Sequence, residues 1–351
     1  MNPEPGGQTG DDYILELRDV KKWFPVDTGF FSGILSRAEK TYVKAVDGLS
    51  FNVKRGEVFG LAGESGSGKT TVGRLAIRLL ELTEGQVCFD GVDLATLSSE
   101  ELRHHRSRMQ VIFQDPMASL NPRMTIGDAI AHPLLIHNPE EKERKKDHVY
   151  EVLDSVGLAP PATFYNKYPH QISGGQRQRV VVARALITKP ELILADEPIA
   201  MADVSVRALL LDLMIQLKEV FNLTYLFITH DLATAKYICD RIGIMYLGKL
   251  VEVGPLVDVY SNPVHPYTRA LLAAVPVPDP NFRRTEPLPR GEIPSPINPP
   301  SGCRFHPRCP IARDICHEES PSMLPVAGHA EHKAACHLRT GNYQHLDPNS
   351  G

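Results

Sequence analysis

The run Gly63-Glu64-Ser65-Gly66-Ser67-Gly68-Lys69-Thr70 fits the pattern G-x-x-x-x-G-K-[ST], and it constrains the fold more than any other segment. It directly follows the apolar run Val58-Phe59-Gly60-Leu61-Ala62 and leads into a helical stretch through Val72, Leu75, Ala76 and Leu79. A strand, a glycine-rich loop and a helix in that order turn successive backbone N–H groups inward as an anion nest, with the positive end of the helix behind them. In such a loop Lys69 reaches the β- and γ-phosphates of a nucleotide and Thr70 ligates Mg²⁺. Gly63, Ser65, Gly66, Ser67, Gly68 and Thr71 complete the expected nucleotide-binding set.

The rest of the chain supplies the layers such a loop needs. Met109 to Phe113, Leu192 to Ala195 and Thr224 to Ile228 read as short buried strands separated by helical periodicity, which predicts an α/β fold. Between Ser205 and Phe221 the residues Val206, Leu210, Leu213, Leu217 and Val220 recur at helical spacing and predict one core-facing stripe. Asp115 to Gln171 breaks the strand rhythm with helix-like segments, and its charge run Glu140 to Asp147 reads as a solvated helix face.

Composition marks where the chain divides. Ser261 to Gly351 holds 16 of the 29 prolines and four of the six cysteines, so it is expected to be a loop-rich extension rather than regular structure. The expected organisation is a polar tail over 1–12, a nucleotide-binding domain over 13–260 with a helical subdomain at about 115–172, and an extension over 261–351. With 38 Lys plus Arg against 42 Asp plus Glu the formal charge is −4, which argues against a broad basic face for nucleic acid. The 42% hydrophobic content is ample for a large core, but no apolar stretch approaches the roughly 20 residues that span a bilayer. Met1 to Asp12 is polar and acidic, unlike a secretion signal, and the chain is expected to stay in the cytosol.

Further chemistry clusters at expected strand ends. Asp196-Glu197 closes an apolar strand and places two carboxylates where α/β sheets bind ligands. Asp196 suits Mg²⁺, and Glu197 suits the polarisation of an attacking water. Ser173-Gly174-Gly175-Gln176 opens a helix and forms a second anion site, which one nucleotide on one chain does not require. Gln114 and His230 each follow a strand, as polar sensors.

The ordered set Gly63 to Thr70, Gln114, Ser173 to Gln176, Asp196-Glu197, Asp203 and His230 resembles the ATP-binding subunits of ABC transporters over Tyr13 to Pro255. The resemblance implies a P-loop, ABC-type α/β domain and a head-to-tail dimer, with each ATP lying between the Lys69 loop of one subunit and the Ser173 loop of the other. It also implies γ-phosphate contact by His230, metal and water contact by Gln114, and adenine stacking by an aromatic near the first strand. Phe24 is chosen for that role, with Tyr42 as substitute. Ala200-Met201-Ala202-Asp203 departs from the family's usual Ser-Ala-Leu-Asp, which puts communication between the two nucleotide sites in question.

His265 to Thr268, Val275 to Pro280 and Gly291 to Pro296 are similar to the C-terminal extension of oligopeptide/dipeptide importer ATPases. The resemblance implies a peripheral subunit on the cytoplasmic membrane face. Its partners would be two transmembrane permease subunits and an extracytoplasmic solute-binding protein, with no nucleic acid. Pro25 to Lys40 looks like an insertion found in one of two paralogous ATPases, which implies a heterodimer. The alternatives are an ATPase of a nickel or sugar importer, or a soluble ABC ATPase acting on nucleic acid or ribosomes.

Cys88 and Cys239 read as small buried apolar residues. Cys303, Cys309, Cys316 and Cys336 lie in the extension, and a cytosolic setting argues for metal rather than disulfides. Their wide spacing lacks the tight pairs of mononuclear zinc sites and matches neither ferredoxin pattern. The family resemblance favours a [4Fe–4S] cluster, with zinc as the alternative because His306, His317 and His337 flank the thiols.

Overall fold

The computed structural model describes residues 12–26, 41–275 and 291–340. Most of the polar tail, most of the Pro25 to Lys40 insertion, Pro276 to Pro280 and residues 341–351 lie outside the described residues.

The chain opens with β1 (Tyr13–Pro25) and β2 (Tyr42–Lys54), a long antiparallel pair. Next, β3 (Val58–Ala62) is buried at all positions and α1 (Lys69–Ala76) follows it across the glycine-rich loop. Then β4 (Glu84–Phe89) and β5 (Val92–Asp93) join the edge of β1, giving a four-stranded sheet in the order β2-β1-β4-β5. The helix α2 (Ser99–Arg108) starts on a reciprocal capping box between Ser98 and Glu101 and delivers the chain to β6 (Met109–Ile112). Phe113, expected to end that strand, lies beyond it and is 40% exposed.

A helical layer comes next: α3 (Pro116–Ser119), α4 (Ile126–His137), α5 (Lys145–Ser155), α6 (Pro161–Tyr165) and α7 (Gly174–Leu186). α4 packs on α5 and α7, burying Ile126, Ile130, Val149, Leu153, Val180 and Val181, while the run Glu140 to Asp147 stays exposed or half-buried. The chain then returns to the main sheet through β7 (Leu192–Asp196), α8 (Val204–Phe221), β8 (Thr224–Thr229), α9 (Leu232–Ile238), β9 (Arg241–Tyr246) and β10 (Lys249–Pro255). Parallel pairing of β6, β7, β8, β3 and β9 makes these strands apolar on both faces, so they read as continuous hydrophobic runs. On α8 the stripe Leu210, Leu213 and Leu217 is buried as expected, but Val220 is 74% exposed. The helix ends one residue later before Asn222, which takes a left-handed cap, so the stripe stops a turn before the helix does.

The described part of the extension is mostly loop, as expected, but it carries short regular elements. After α10 (Leu256–Ser261) it forms α11 (Pro266–Ala274), α12 (Asp314–Glu318), β11 (Leu324–Val326) and β12 (His329–Ala334). β12 pairs antiparallel with β10, completing an eight-stranded sheet in the order β11-β12-β10-β9-β3-β8-β7-β6. The extension is therefore built onto the nucleotide-binding layer. Because the edge of β10 supplies backbone partners, a polar run such as His329-Ala330-Glu331-His332-Lys333-Ala334 can become a strand with only His332 and Ala334 facing inward.

Glu252 fastens this joint. It is fully buried on β10, its Oε1 accepting the N–H of Val264 and its Oε2 that of His265, both at 2.8 Å, while His332 Nε2 from β12 lies 2.7 Å from the same Oε1. Removing this carboxylate leaves two buried N–H groups and His332 without their partner, so Glu252→Ala is expected to destabilise the protein by about 3–5 kcal/mol. Denaturant unfolding checks this, and a loss below about 1 kcal/mol would contradict a buried clasp.

Candidate nucleotide-binding site

The loop between β3 and α1 depends on glycine at two positions. Gly68 caps α1 with φ 102°, and a Cβ there would lie 2.2 Å from the carbonyl oxygen of Ala45. Gly63 has φ 153°, and its Cβ would lie 2.3 Å from the carbonyl oxygen of Met245. The loop is thus pressed against β2 and β9, with Ser65 and Gly66 exposed at its tip. Lys69, Thr70 and Thr71 open α1, so their N–H groups have no acceptor one turn back inside the helix and are free to meet an anion.

Lys69 is buried under this loop. Its Nζ donates to the carbonyls of Gly63 at 2.8 Å and Glu64 at 2.9 Å, with Ser67 Oγ at 3.4 Å. Burial lowers the ammonium's pKa, while the charges of Glu197, Asp196 and Glu64 act to raise it. Thr70 Oγ1 donates to Asp196 Oδ1 at 3.1 Å, and burial pushes the Asp196 carboxyl upward against that hydrogen bond. Hydroxyl and carboxylate oxygens at a strand end are a donor set suited to Mg²⁺.

Glu197 follows β7 with φ 48°, a left-handed conformation that non-glycine residues rarely take. Its N–H donates to the Ile228 carbonyl on β8 at 2.9 Å, which fixes the turn. Its carboxylate is held from both sides: Gln114 Nε2 donates to Oε2 at 2.9 Å, and His230 Nδ1 lies 2.8 Å from Oε1. The ends of β6, β7 and β8 thereby bring Gln114, Glu197 and His230 together, beside the loop at the end of β3.

Among the described residues no hydrogen bond or ion pair ties the other expected residues to this group. Ser173 caps α7 in a reciprocal box with Gln176, accepting its N–H at 3.3 Å and donating its own N–H to Gln176 Oε1 at 3.0 Å. Gly174 and Gly175 begin the helix, with Ser173 and Gly174 exposed. Among the described residues no hydrogen bond or ion pair joins Ser173 to Gln176 with Gly63 to Thr71. Asp203 is exposed at the start of α8 without a side-chain cap bond, and Met201 beside it is 65% exposed. Phe24 is half-buried on β1 with Lys22 Nζ 5.1 Å above its ring, whereas Tyr42 faces Trp23 at 6.3 Å.

The four extension cysteines converge on one small cavity, lined also by Phe305, Ile311 and Leu338. Burial pushes the thiols of Cys309 and Cys336 up to about 11 and that of Cys303 to about 12. His306 and His337 reach the same cavity, but His306 Nδ1 lies 2.9 Å from the Cys303 carbonyl and His337 Nε2 lies 2.9 Å from that of Glu319. Among the described residues no three His, Cys, Asp or Glu side chains are grouped closely enough to hold one metal ion. Cys88 and Cys239 are buried elsewhere, as expected.

Sequence reading missed how the extension meets the loop. The Glu64 carboxylate receives Arg308 Nη1 at 2.9 Å and Nη2 at 3.3 Å, and the Glu64 N–H donates to the Tyr267 hydroxyl at 2.9 Å. Arg304 reaches Asp47 and the Leu247 carbonyl. No local signal marks these pairs, because more than two hundred residues separate Glu64 from both partners.

A phosphate-binding loop on a mixed sheet, facing a carboxylate held by Gln114 and His230, defines a nucleotide-binding ATPase cassette. The sequence matches the family model for the ABC transporter over residues 46–200 and that for the oligopeptide/dipeptide transporter C-terminal region over 251–316. It is 50% identical over 328 residues to the oligopeptide transport ATP-binding protein AppF of Bacillus subtilis, covering 93% of this chain and 97% of that one. The ATP-binding cassette MJ0796, solved as a dimer in a post-hydrolysis state with ADP and Pi, is 30% identical with a TM-score of 0.59, covering 69% of this chain and 99% of that one. A second dimeric structure of MJ0796 gives 29% identity and a TM-score of 0.58 over the same shares. The chain belongs to the ATP-binding proteins of ABC transporters, in the group that carries the oligopeptide/dipeptide C-terminal region.

Adding a methyl group at Gly68 strains both φ and the contact with Ala45, so Gly68→Ala is expected to weaken nucleotide binding by about tenfold or more. Titration with a fluorescent ATP analogue measures it; unchanged affinity would show that the loop does not need this backbone.

Proposed function

We propose that this chain hydrolyses ATP to power uptake of di- and oligopeptides through an ABC importer. The observation that carries the reading is Glu197, fixed between Gln114 and His230 at the mouth of the Lys69 loop, in a chain whose extension is of the peptide-transporter type. Lys69 and the loop amides of Gly66, Gly68, Lys69, Thr70 and Thr71 bind and neutralise the phosphates, with Gly63, Ser65 and Ser67 shaping the loop. Phe24, or Tyr42 in its place, stacks on the base. Glu197 orients the attacking water and takes its proton, and His230 contacts the γ-phosphate. Thr70, Asp196 and Gln114 would hold Mg²⁺, which neutralises phosphate charge when bound.

The Ser173-Gly174-Gly175-Gln176 start of α7, exposed at Ser173 and Gly174, and exposed Asp203 complete the ATP site of a partner subunit. Support comes from the exposure of Ser173, Gly174 and Asp203 and from the dimeric state of the MJ0796 cassette with ADP and Pi. The partner is a second, paralogous ATPase. The pair acts on two permease subunits, with an extracytoplasmic solute-binding protein delivering cargo and no nucleic acid involved. The subunit sits peripherally on the cytoplasmic face, a position that the likeness to the oligopeptide transport ATP-binding protein AppF supports. The helical layer from Asp115 to Gln171 belongs to the contact with the permease.

The four convergent thiols fit a [4Fe–4S] cluster better than a single zinc ion. Support comes from the four thiols lining one apolar-walled cavity while the flanking His306 and His337 are engaged with the carbonyls of Cys303 and Glu319. Cys303, Cys309, Cys316 and Cys336 would hold the group, which would cross-link a segment with little core of its own.

Glu197→Gln is expected to lower turnover by about 10²–10⁴-fold while ATP binding persists. Near-normal hydrolysis in a steady-state phosphate-release assay would refute the role of Glu197. Anaerobically purified protein is expected to contain about four irons and four acid-labile sulfides per chain. One equivalent of zinc without sulfide would reject the cluster.

A further inference from the structure

The peptide unit that anchors Lys69 is itself gripped by the C-terminal extension. Two of the three Lys69 ammonium donors are taken by the carbonyls of Gly63 and Glu64. The Glu64 N–H, at the other end of the same residue, donates to the hydroxyl of Tyr267 on α11 at 2.9 Å. The Glu64 side chain meets the Arg308 guanidinium in a two-pronged contact at 2.9 and 3.3 Å, and the Arg308 side chain is only 8% exposed. Glu64 is thus held at its N–H and its carboxylate from outside the loop while its carbonyl holds Lys69 inside it.

The holders are rigid. Tyr267 and Phe305 are almost fully buried and meet Tyr246 in an aromatic cluster with ring centroids 4.7 to 5.4 Å apart. The Arg308 guanidinium lies 5.8 Å from the Tyr246 ring and 5.9 Å from that of Phe305. Arg308 also ends the short turn His306–Arg308, directly before Cys309. Planar, two-pronged contact is the task for which a guanidinium differs from an ammonium.

We infer that Arg308 and Tyr267 are positioning residues of the ATP site: they hold Glu64 so that its carbonyl presents the Lys69 ammonium to the phosphates, making the C-terminal extension part of the nucleotide-binding machinery. This rests on reading the Lys69 loop as the ATP site. Releasing Glu64 leaves the catalytic carboxylate group in place, so the effect falls on nucleotide affinity rather than on the chemical step.

The experiment uses the full chain in its transporter complex and measures KM and kcat for ATP hydrolysis, with iron and sulfide content in parallel. Tyr267→Phe, Glu64→Gln and Arg308→Met are each expected to raise KM for ATP by roughly five- to twentyfold, with kcat changed by less than about twofold. Arg308→Lys is expected to recover part of the loss, and Arg308→Met on top of Glu64→Gln to add little, because both remove one contact. Iron and sulfide stay at the unsubstituted level. Glu331→Gln, which breaks the 3.2 Å exposed pair between β12 and Lys54 far from the loop, leaves KM unchanged. Unchanged KM in Tyr267→Phe and Arg308→Met overturns the inference, as does an equal rise in Glu331→Gln, which would mark general loosening. Lys69→Ala separates the two levels: if it leaves ATP affinity intact, the reading of the loop itself fails, whereas lost affinity there with silent Arg308 and Tyr267 variants rejects only the positioning role.

Discussion

A buried ammonium, that of Lys69, sets the terms for the rest of the site. Held by two loop carbonyls in a poorly solvated pocket, it is offset by Glu64, Asp196 and Glu197. Such a pocket favours an incoming polyanion because the cation is already oriented and stripped of water, so binding requires little rearrangement. The loop holds this arrangement only because Gly63 and Gly68 let the backbone press against Met245 and Ala45. The strands carrying those neighbours are therefore part of the phosphate site although they offer no side chain to it.

Parallel pairing then determines which other groups arrive. The strands β3, β8, β7 and β6 are adjacent in register, so their ends deliver Lys69, His230, Asp196-Glu197 and Gln114 to one edge. The left-handed backbone of Glu197 and its double hydrogen bonding fix one carboxylate in one orientation. By contrast, the start of α7 satisfies itself through the Ser173 and Gln176 box, with Ser173 and Gly174 exposed.

Much of this was legible in the sequence because its signals are local. Val58 to Ala62, Leu192 to Ala195 and Thr224 to Ile228 are short, largely apolar runs that the fold buries on both faces, and the glycine loop carries its own spacing. The joint with the extension was not legible, since Glu252 with His332 and Glu64 with Arg308 are pairs of ordinary polar residues far apart in the chain. The strand His329–Ala334 is recruited by an open sheet edge rather than by its own hydrophobicity, and the abundance of proline around it pointed to loops. The exposed end of the α8 stripe at Val220 shows the limit of periodicity, which reports a helix face but not where the neighbouring layer ends. For the cysteines, spacing alone matched no metal pattern and the site was implied by the family resemblance. The fold lines one cavity with all four, yet among the described residues no three His, Cys, Asp or Glu side chains are grouped closely enough to hold one metal ion.

ATP-dependent accumulation of a labelled peptide in vesicles, using the complete transporter reconstituted with this chain, tests the central claim most directly. With Lys69→Ala in this subunit, uptake is expected to fall to the level seen without ATP. Undiminished accumulation would contradict the account, because the pocket built around that ammonium would then not be the motor.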